Sequence, residues 1–348
     1  MNLKYINKYY LIVLLCILFN SCNKKEIKIV STTTNTIDTT NTTKSNSDRI
    51  VGLAYTTWFT STNWTNVWGT PKLGFYTSND TTVIKQHGEW LADAGVDFIF
   101  IDWSNDLGYI PGVTVNRPDF DMIENSVPII FKEWAKIKGA PKISIMLGCP
   151  DHPEAFSDGT MQRKINQVYS QFIDNKTDSS QYFQYLGKPL LIIYVGTPSP
   201  FENGIPNFQD SRFTIRYMTG FITQQPNLLS GNNRLSKYGY WSWEDRGDQT
   251  YTLLDNQPEA CTVSAASRAD SFNSIPAIGR NNGLTFQSRW SRAENLNVKV
   301  VLVTTWNEWT TSEQPSAEVS KDLEPSVEFG NFYLDLLKSE IVSFKNTH

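Results

Sequence analysis

Eight short apolar runs lie along one uninterrupted stretch of this chain, most of them separated by amphipathic segments, and they constrain its fold more than any other feature. The runs occupy residues 50–59, 97–103, 142–149, 189–195, 213–221, 239–243, 261–265 and 299–306. Helical spacing of apolar residues marks 81–94, 120–138, 160–175, 284–295 and 326–345. Apolar runs of strand length between helices are what parallel strands buried on both faces require. Eight of them in about 300 residues predict an α/β protein, a single-domain (β/α)8 TIM barrel over residues 49–348. A doubly wound open sheet is the rival arrangement, but it calls for a Gly-rich phosphate turn after its first strand. Here that strand runs into Thr57-Trp58-Phe59 instead. The connections around the fifth to seventh strands read as short or irregular.

A barrel of this kind carries its active site on the loops beyond the carboxyl ends of its strands. Those ends hold Trp58, Asp102-Trp103, Cys149 with Asp151-His152, Tyr194, Trp241-Ser242-Trp243-Glu244, Ser264 with Arg268, and Trp306-Asn307-Glu308-Trp309. Of 11 tryptophans, only Trp90, Trp134 and Trp290 fall on the expected helices. The rest stand at strand ends or in the loops beyond. An indole offers a rigid apolar face and one N–H donor, a surface on which the CH-rich face of a pyranose packs well. Some of these rings are expected to plug the barrel mouth as core. The expected substrate contacts are Trp58, Trp103, His152, Tyr194, Trp241, Trp243, Arg268, Trp306, Asn307 and Trp309. His152 would bind a hydroxyl, and Arg268 an anionic group or a carboxylate such as Glu244.

The sharpest local signal is residues 300–309, VVLVTTWNEW. An apolar strand runs directly into a carboxylate set between two indoles. Lost solvation raises the pKa of such a carboxyl group and suits Glu308 to general acid catalysis; the alternative is a structural acceptor for loop amides.

The opening from Val51-Gly52 to Trp58, residues 95–103 (GVDFIFIDW), 185–194 (YLGKPLLIIY) and 305–309 (TWNEW) resemble glycoside hydrolase family 99 and its relative, family 71. The likeness runs in order over most of residues 50–345, and TWNEW is its most specific piece. The resemblance implies a (β/α)8 barrel that cleaves α-linked glycans such as mannan in endo fashion without a catalytic metal, with Glu308 as one of two family carboxylates. The family's second acid stands three residues further on, where this chain has Thr311. Glycoside hydrolysis normally needs two carboxyl groups, so the partner must come from elsewhere. Glu244 stands first, beside an indole at the end of the sixth strand, although Arg246 is placed to neutralise it. Asp102, at the end of the second strand, follows closely as an acid, base or hydroxyl ligand. Glu313 comes third.

The ends of the chain and its composition bound the partners. Lys4 and Lys8 precede an apolar run at residues 9–19 that is too short to span a bilayer and suits a signal peptide. The following Phe19-Asn20-Ser21-Cys22 looks like a bacterial lipoprotein box, which implies a signal peptide over residues 1–21 and lipidation of Cys22. An ordinary signal peptide cut near Ser21 is the alternative. Residues 22–48 are rich in Thr, Asn and Ser, too polar to offset their ordering entropy, and read as a tether. The expected location is the bacterial envelope, at the outer membrane or cell surface. A net charge of -4 without a basic block argues against nucleic acid. Cys149 and Cys261 alone do not make a disulfide scaffold. No metal or cofactor is expected, because no metalloprotease, nucleotide or dinucleotide motif is present and His152 with Asp151 and Glu154 is a weak metal pattern. The expected activity is a monomeric glycoside hydrolase on an oligo- or polysaccharide. The rivals are a glycan-binding lipoprotein without catalysis and a lyase or transferase on acidic polysaccharide.

Overall fold

The structure is a computed structural model that describes residues 48–108, 118–149, 152–175, 177–196, 205–220, 234–236, 239–244, 249–269, 276–312 and 314–347. Cys22, the signal peptide and the tether lie outside the described residues, as do Asp151, Arg246 and Glu313.

Eleven strands form one sheet: β1 (Ile50–Tyr55), β2 (Phe98–Trp103), β3 (Lys142–Gly148), β4 (Gln184–Tyr185), β5 (Lys188–Tyr194), β6 (Thr214–Thr219), β7 (Arg234–Leu235), β8 (Trp241–Ser242), β9 (Thr250–Leu254), β10 (Gln257–Val263) and β11 (Val300–Val303). Parallel pairing runs without a break through β10, β11, β1, β2, β3, β5, β6 and β8. These eight strands correspond to the eight expected from the sequence. The two ends of the run approach each other. Thr262 Oγ1 donates to the Ser242 carbonyl, and Trp241 Nε1 donates to Glu259 Oε2 at 3.3 Å. The sheet is a nearly closed barrel.

Five α-helices are described: α1 (Thr81–Ala94), α2 (Pro118–Trp134), α3 (Thr160–Val168), α4 (Leu284–Leu296) and α5 (Phe332–Asn346). In α1, Asp80 caps the first turn by accepting from Thr82 N at 2.8 Å. Gly95, at φ 82°, closes the last turn, a conformation that glycine adopts at little cost. The helix buries Ile84, His87, Leu91 and Ala94, which share one face at helical spacing.

Two departures come from local chemistry. The chain between β8 and β10 makes an antiparallel hairpin of β9 on β10 rather than a helix, turned by Asp255 and Asn256 at φ 52° and 61°. The last helix starts at Phe332, not near 326, because Ser326 and Gly330 exchange backbone hydrogen bonds in a tight turn first.

The two-residue period of the strands sorts their side chains into two cores. Ala54, Phe98, Phe100, Leu190, Ile192, Val300 and Leu302 fill the barrel interior. Leu53, Ile99, Ile101, Ile145, Ile193 and Val301 face outward against helix residues such as Leu91, Phe131 and Leu337. Gly52 belongs to the inward series, and a Cβ there would lie 2.3 Å from the Phe98 ring, so its missing side chain makes room for the larger neighbour. Cys149 and Cys261 are buried and are not joined in a disulfide.

Candidate active site

The same alternation delivers the site. On β2 the inward residues are Phe98, Phe100 and then Asp102; on β5 they are Leu190, Ile192 and then Tyr194. Beyond β6, Gly220 leaves space that the Tyr194 hydroxyl uses, since a Cβ there would stand 2.3 Å from that oxygen. Trp243 and Glu244 follow β8, Arg268 follows β10, and Glu308 follows β11. Together with Trp58, Met146 and others these residues line a cavity of about 340 Å³ at the carboxyl ends of the strands.

Among the described residues, three carboxyl groups meet at this cavity, and each is almost fully buried. Two cations balance them. Lys321 Nζ lies 2.7 Å from Glu244 Oε1 and 3.4 Å from Glu308 Oε2. Arg268 Nε is 3.6 Å from the same Glu244 oxygen. Burial pushes the Glu308 carboxyl up to about 7; Lys321 opposes the shift, while Asp322, Glu244 and Asp102 add to it. Burial also raises Asp102, held back by hydrogen bonds from Ser104; one is Ser104 N to Asp102 Oδ1 at 2.8 Å. Burial pulls the Lys321 ammonium down, but Glu244 and Glu308 outweigh it and hold the group above its ordinary value. Lys321 therefore remains a cation through the neutral range. Among the described residues, no cluster of three or more His, Cys, Asp or Glu is arranged to hold a metal ion.

The Glu308 loop is fixed from behind by residues 320–324. Asp322 accepts from Glu308 N at 2.7 Å, Trp309 N at 2.8 Å and Trp68 Nε1 at 2.7 Å. Glu324 accepts from Trp309 Nε1 at 2.7 Å and Tyr76 OH at 2.8 Å, and His87 Nε2 lies 3.0 Å from its other oxygen.

No protein-family model matches the chain, and neither does any curated protein. Solved structures match it in fold. The GH99 endo-α-mannosidase from Bacteroides thetaiotaomicron aligns over 86% of this chain and 98% of its own, with a TM-score of 0.56 at 14% identity. The same enzyme in complex with bis-tris propane gives 0.55 at 15% identity over the same shares. A glycoside hydrolase-like protein gives 0.52 at 16% identity, covering 85% of this chain and 95% of its own. The barrel is the fold of these glycoside hydrolases.

Not every expected contact reaches the cavity. Trp58, Asp102, Tyr194, Trp243, Glu244, Arg268 and Glu308 line it. Trp103 does not: one position after the inward Asp102, it points outward, is fully buried and meets Phe172 edge-on. Trp306 is likewise fully buried, packed edge-on against His87. Trp309 is stacked on Trp68 at 4.6 Å between ring centroids. Trp241 points inward but lies below the cavity in the barrel core, bonded to Glu259. These four rings are core and offer no face for stacking. Asn307 is also occupied, accepting from Thr56 N at 2.9 Å and donating to Thr56 O at 3.1 Å, so it ties the first strand's loop to the last. His152 is exposed and pairs with Glu154 at 2.8 Å. It lines a second hollow of about 360 Å³ that shares Ser104 and Asn105 with the first.

Lys321, Asp322, Glu324 and Tyr76 were not expected. No strand end or motif marks residues 320–324 in the sequence; only their return across the barrel mouth brings them to Glu308.

Proposed function

We propose that this chain is a glycoside hydrolase in which Glu308 carries the proton and Glu244 is the charged partner. The observation that carries the reading is the Lys321 ammonium in contact with both groups. Laid end to end, its two contacts keep the Glu244 and Glu308 oxygens within about 6 Å of each other. That upper bound, which concerns only the two oxygens that face Lys321, is compatible with the separation of about 5–5.5 Å in retaining enzymes. Lys321 is fully buried and approaches the pair from the protein side.

A carboxyl group that titrates near neutrality gives up a proton to a departing glycosidic oxygen and takes one back from water. Glu244, in contact with the Lys321 ammonium and near the Arg268 guanidinium, faces the positive charge that develops at the anomeric carbon. Asp102 supplies a third oxygen pair for sugar hydroxyls, and Trp58 and Trp243 supply apolar walls. The endo-α-mannosidase that shares the fold makes α-linked mannan the first substrate to try and α-glucan the second.

One observation favours a glycan-binding protein without catalysis. Thr311, where family 99 has its second acid, is turned away and donates to the Asn66 carbonyl at 2.7 Å. A lyase on acidic polysaccharide has less support, because Arg268 and Lys321 both engage Glu244 rather than standing ready for an anion. Incubating the protein with α-mannan, α-glucan and a polyuronate separates the three readings. The hydrolase reading expects new reducing ends from a neutral α-glycan. Unsaturated products from the polyuronate would establish the lyase, and binding without cleavage the non-catalytic protein.

The same proposal places the barrel outside the cytoplasm, anchored through lipid on Cys22 and acting as a monomer. Cys22→Ala should leave the membrane fraction, and its retention there would remove the anchor from the account.

A further inference from the structure

Lys321 belongs to none of the sequence features that single out the barrel mouth, yet it is the cation that touches both members of the carboxyl pair. Its backbone is fixed on both sides. Lys321 N donates to Gln314 Oε1 at 2.5 Å, Leu323 N donates to the Thr305 and Trp306 carbonyls, and Glu324 N to the Trp306 carbonyl. The side chain passes 5.9 Å from the Trp243 ring centroid, and its ammonium is fully buried. A lysine is rarely buried in this way without a partner, and here it has two that are not equivalent. Glu244 receives a hydrogen bond at 2.7 Å and a second cation in Arg268. Glu308 has the same ammonium at 3.4 Å, and its Oε2 accepts no hydrogen bond from the described residues.

We propose that Lys321 is a positioning residue that favours the charged form of both carboxyl groups, gripping Glu244 more closely than Glu308 and restraining the rise that burial imposes on Glu308. Its kinetic consequence rests on the hydrolase reading; its electrostatic consequence does not. Among the described residues, the charged and titratable groups facing the pair are Asp102 from β2, Tyr194 from β5, Arg268 from beyond β10 and Asp322 beside Lys321 itself. Arg268 lies 3.6 Å from Glu244, whereas Lys321 is the cation in contact with Glu308 and lowers it directly. Removing it lets burial and the surrounding acids act on Glu308 unopposed.

Lys321→Met keeps the apolar stem and deletes the charge, whereas Lys321→Arg keeps the charge. In protein labelled with 13C at the glutamate carboxyl, the Glu308 resonance is identified by its loss in Glu308→Gln, and its titration is followed by NMR. The expected result is a titration moved upward by about 1 to 3 pH units in Lys321→Met, the range an adjacent opposite charge commands, and moved little in Lys321→Arg. On a cleaved glycan, the basic limb of the kcat/KM profile should move upward with it, and kcat should fall more than KM changes. A folded Lys321→Met protein whose Glu308 titrates as in the parent overturns the proposal. If Lys321→Met does not fold, the same comparison is made between Glu244→Gln and the double variant Glu244→Gln/Lys321→Met, where one acid fewer is left uncompensated. If no glycan is cleaved but the titration moves, the hydrolase reading fails and the role of Lys321 stands.

Discussion

Burial, opposed by Lys321 and reinforced by Asp322, Glu244 and Asp102, takes the Glu308 carboxyl from its ordinary 4.5 to about 7. In the unfolded chain the group recovers its ordinary value, so the folded state holds this proton more tightly. Its contribution to stability is complete below about pH 4.5 and is lost as pH rises to about 7, because in that window the folded chain binds more protons than the unfolded one. The loss is at most on the order of 3 kcal/mol, at about 1.4 kcal/mol per pH unit. Glu308→Gln removes the titration and keeps the shape. The variant should match the parent in urea unfolding near pH 4.5 and exceed it by one to a few kcal/mol at pH 8. A difference between the two proteins that does not vary with pH would contradict the buried, proton-bearing Glu308. The same residue was legible in sequence, because an acid between two indoles at the end of an apolar strand advertises its desolvation. Lys321 was not. Its proximity to residues 244 and 308 arises from barrel closure and the return of the chain over the mouth, and neither is encoded in local spacing.

The strand is the element that decides which tryptophans can meet a ligand. Barrel strands such as β2 and β11 could be read from the chain because burial on both faces leaves near-continuous apolar runs, and α1 because its apolar residues share one face. The hairpin of β9 and β10 was overlooked although Asp255-Asn256, both at positive φ, is the kind of two-residue turn that makes one. Side-chain direction was the larger loss. Asp102 and Trp103 are consecutive in a strand, so the two-residue period allows only one of them into the barrel. The carboxylate points in, and the indole points out. Depth matters as well, since Trp241 and Trp243 both point inward and only the upper one reaches the cavity. Two substitutions test this division. Trp243→Ala should weaken glycan binding while the protein stays folded. Trp103→Ala, which empties a fully buried site, should cost about 3–5 kcal/mol of stability with ligand affinity of the folded fraction unchanged. The reverse pattern, with Trp103→Ala folded and defective in binding, would put the indole of residue 103 in the site.

At the scale of the whole molecule, a barrel gathers side chains that are distant in sequence at the carboxyl ends of its strands. Its interior is packed below by Phe98, Phe100 and Leu302 and open above at a cavity holding Asp102, Glu244 and Glu308. Residues separated by more than two hundred positions become neighbours there, as when Asn307 bonds to Thr56. That distribution explains why the fold was readable from the order of its strands while the charge balance of its site was not. It also makes the site cooperative, since Glu308 depends on a loop fixed by Asp322 and on a cation fixed by that same segment. The most direct test of the account is the release of reducing ends from α-mannan and α-glucan by the parent protein and by Glu308→Gln, with binding of the same glycan measured for each. Loss of general acid–base catalysis costs about 10²–10⁴-fold in rate, so turnover by Glu308→Gln should fall by that factor while its affinity for the glycan is retained. Equal hydrolysis by the two proteins would contradict the account, because the proton would then be supplied by another group.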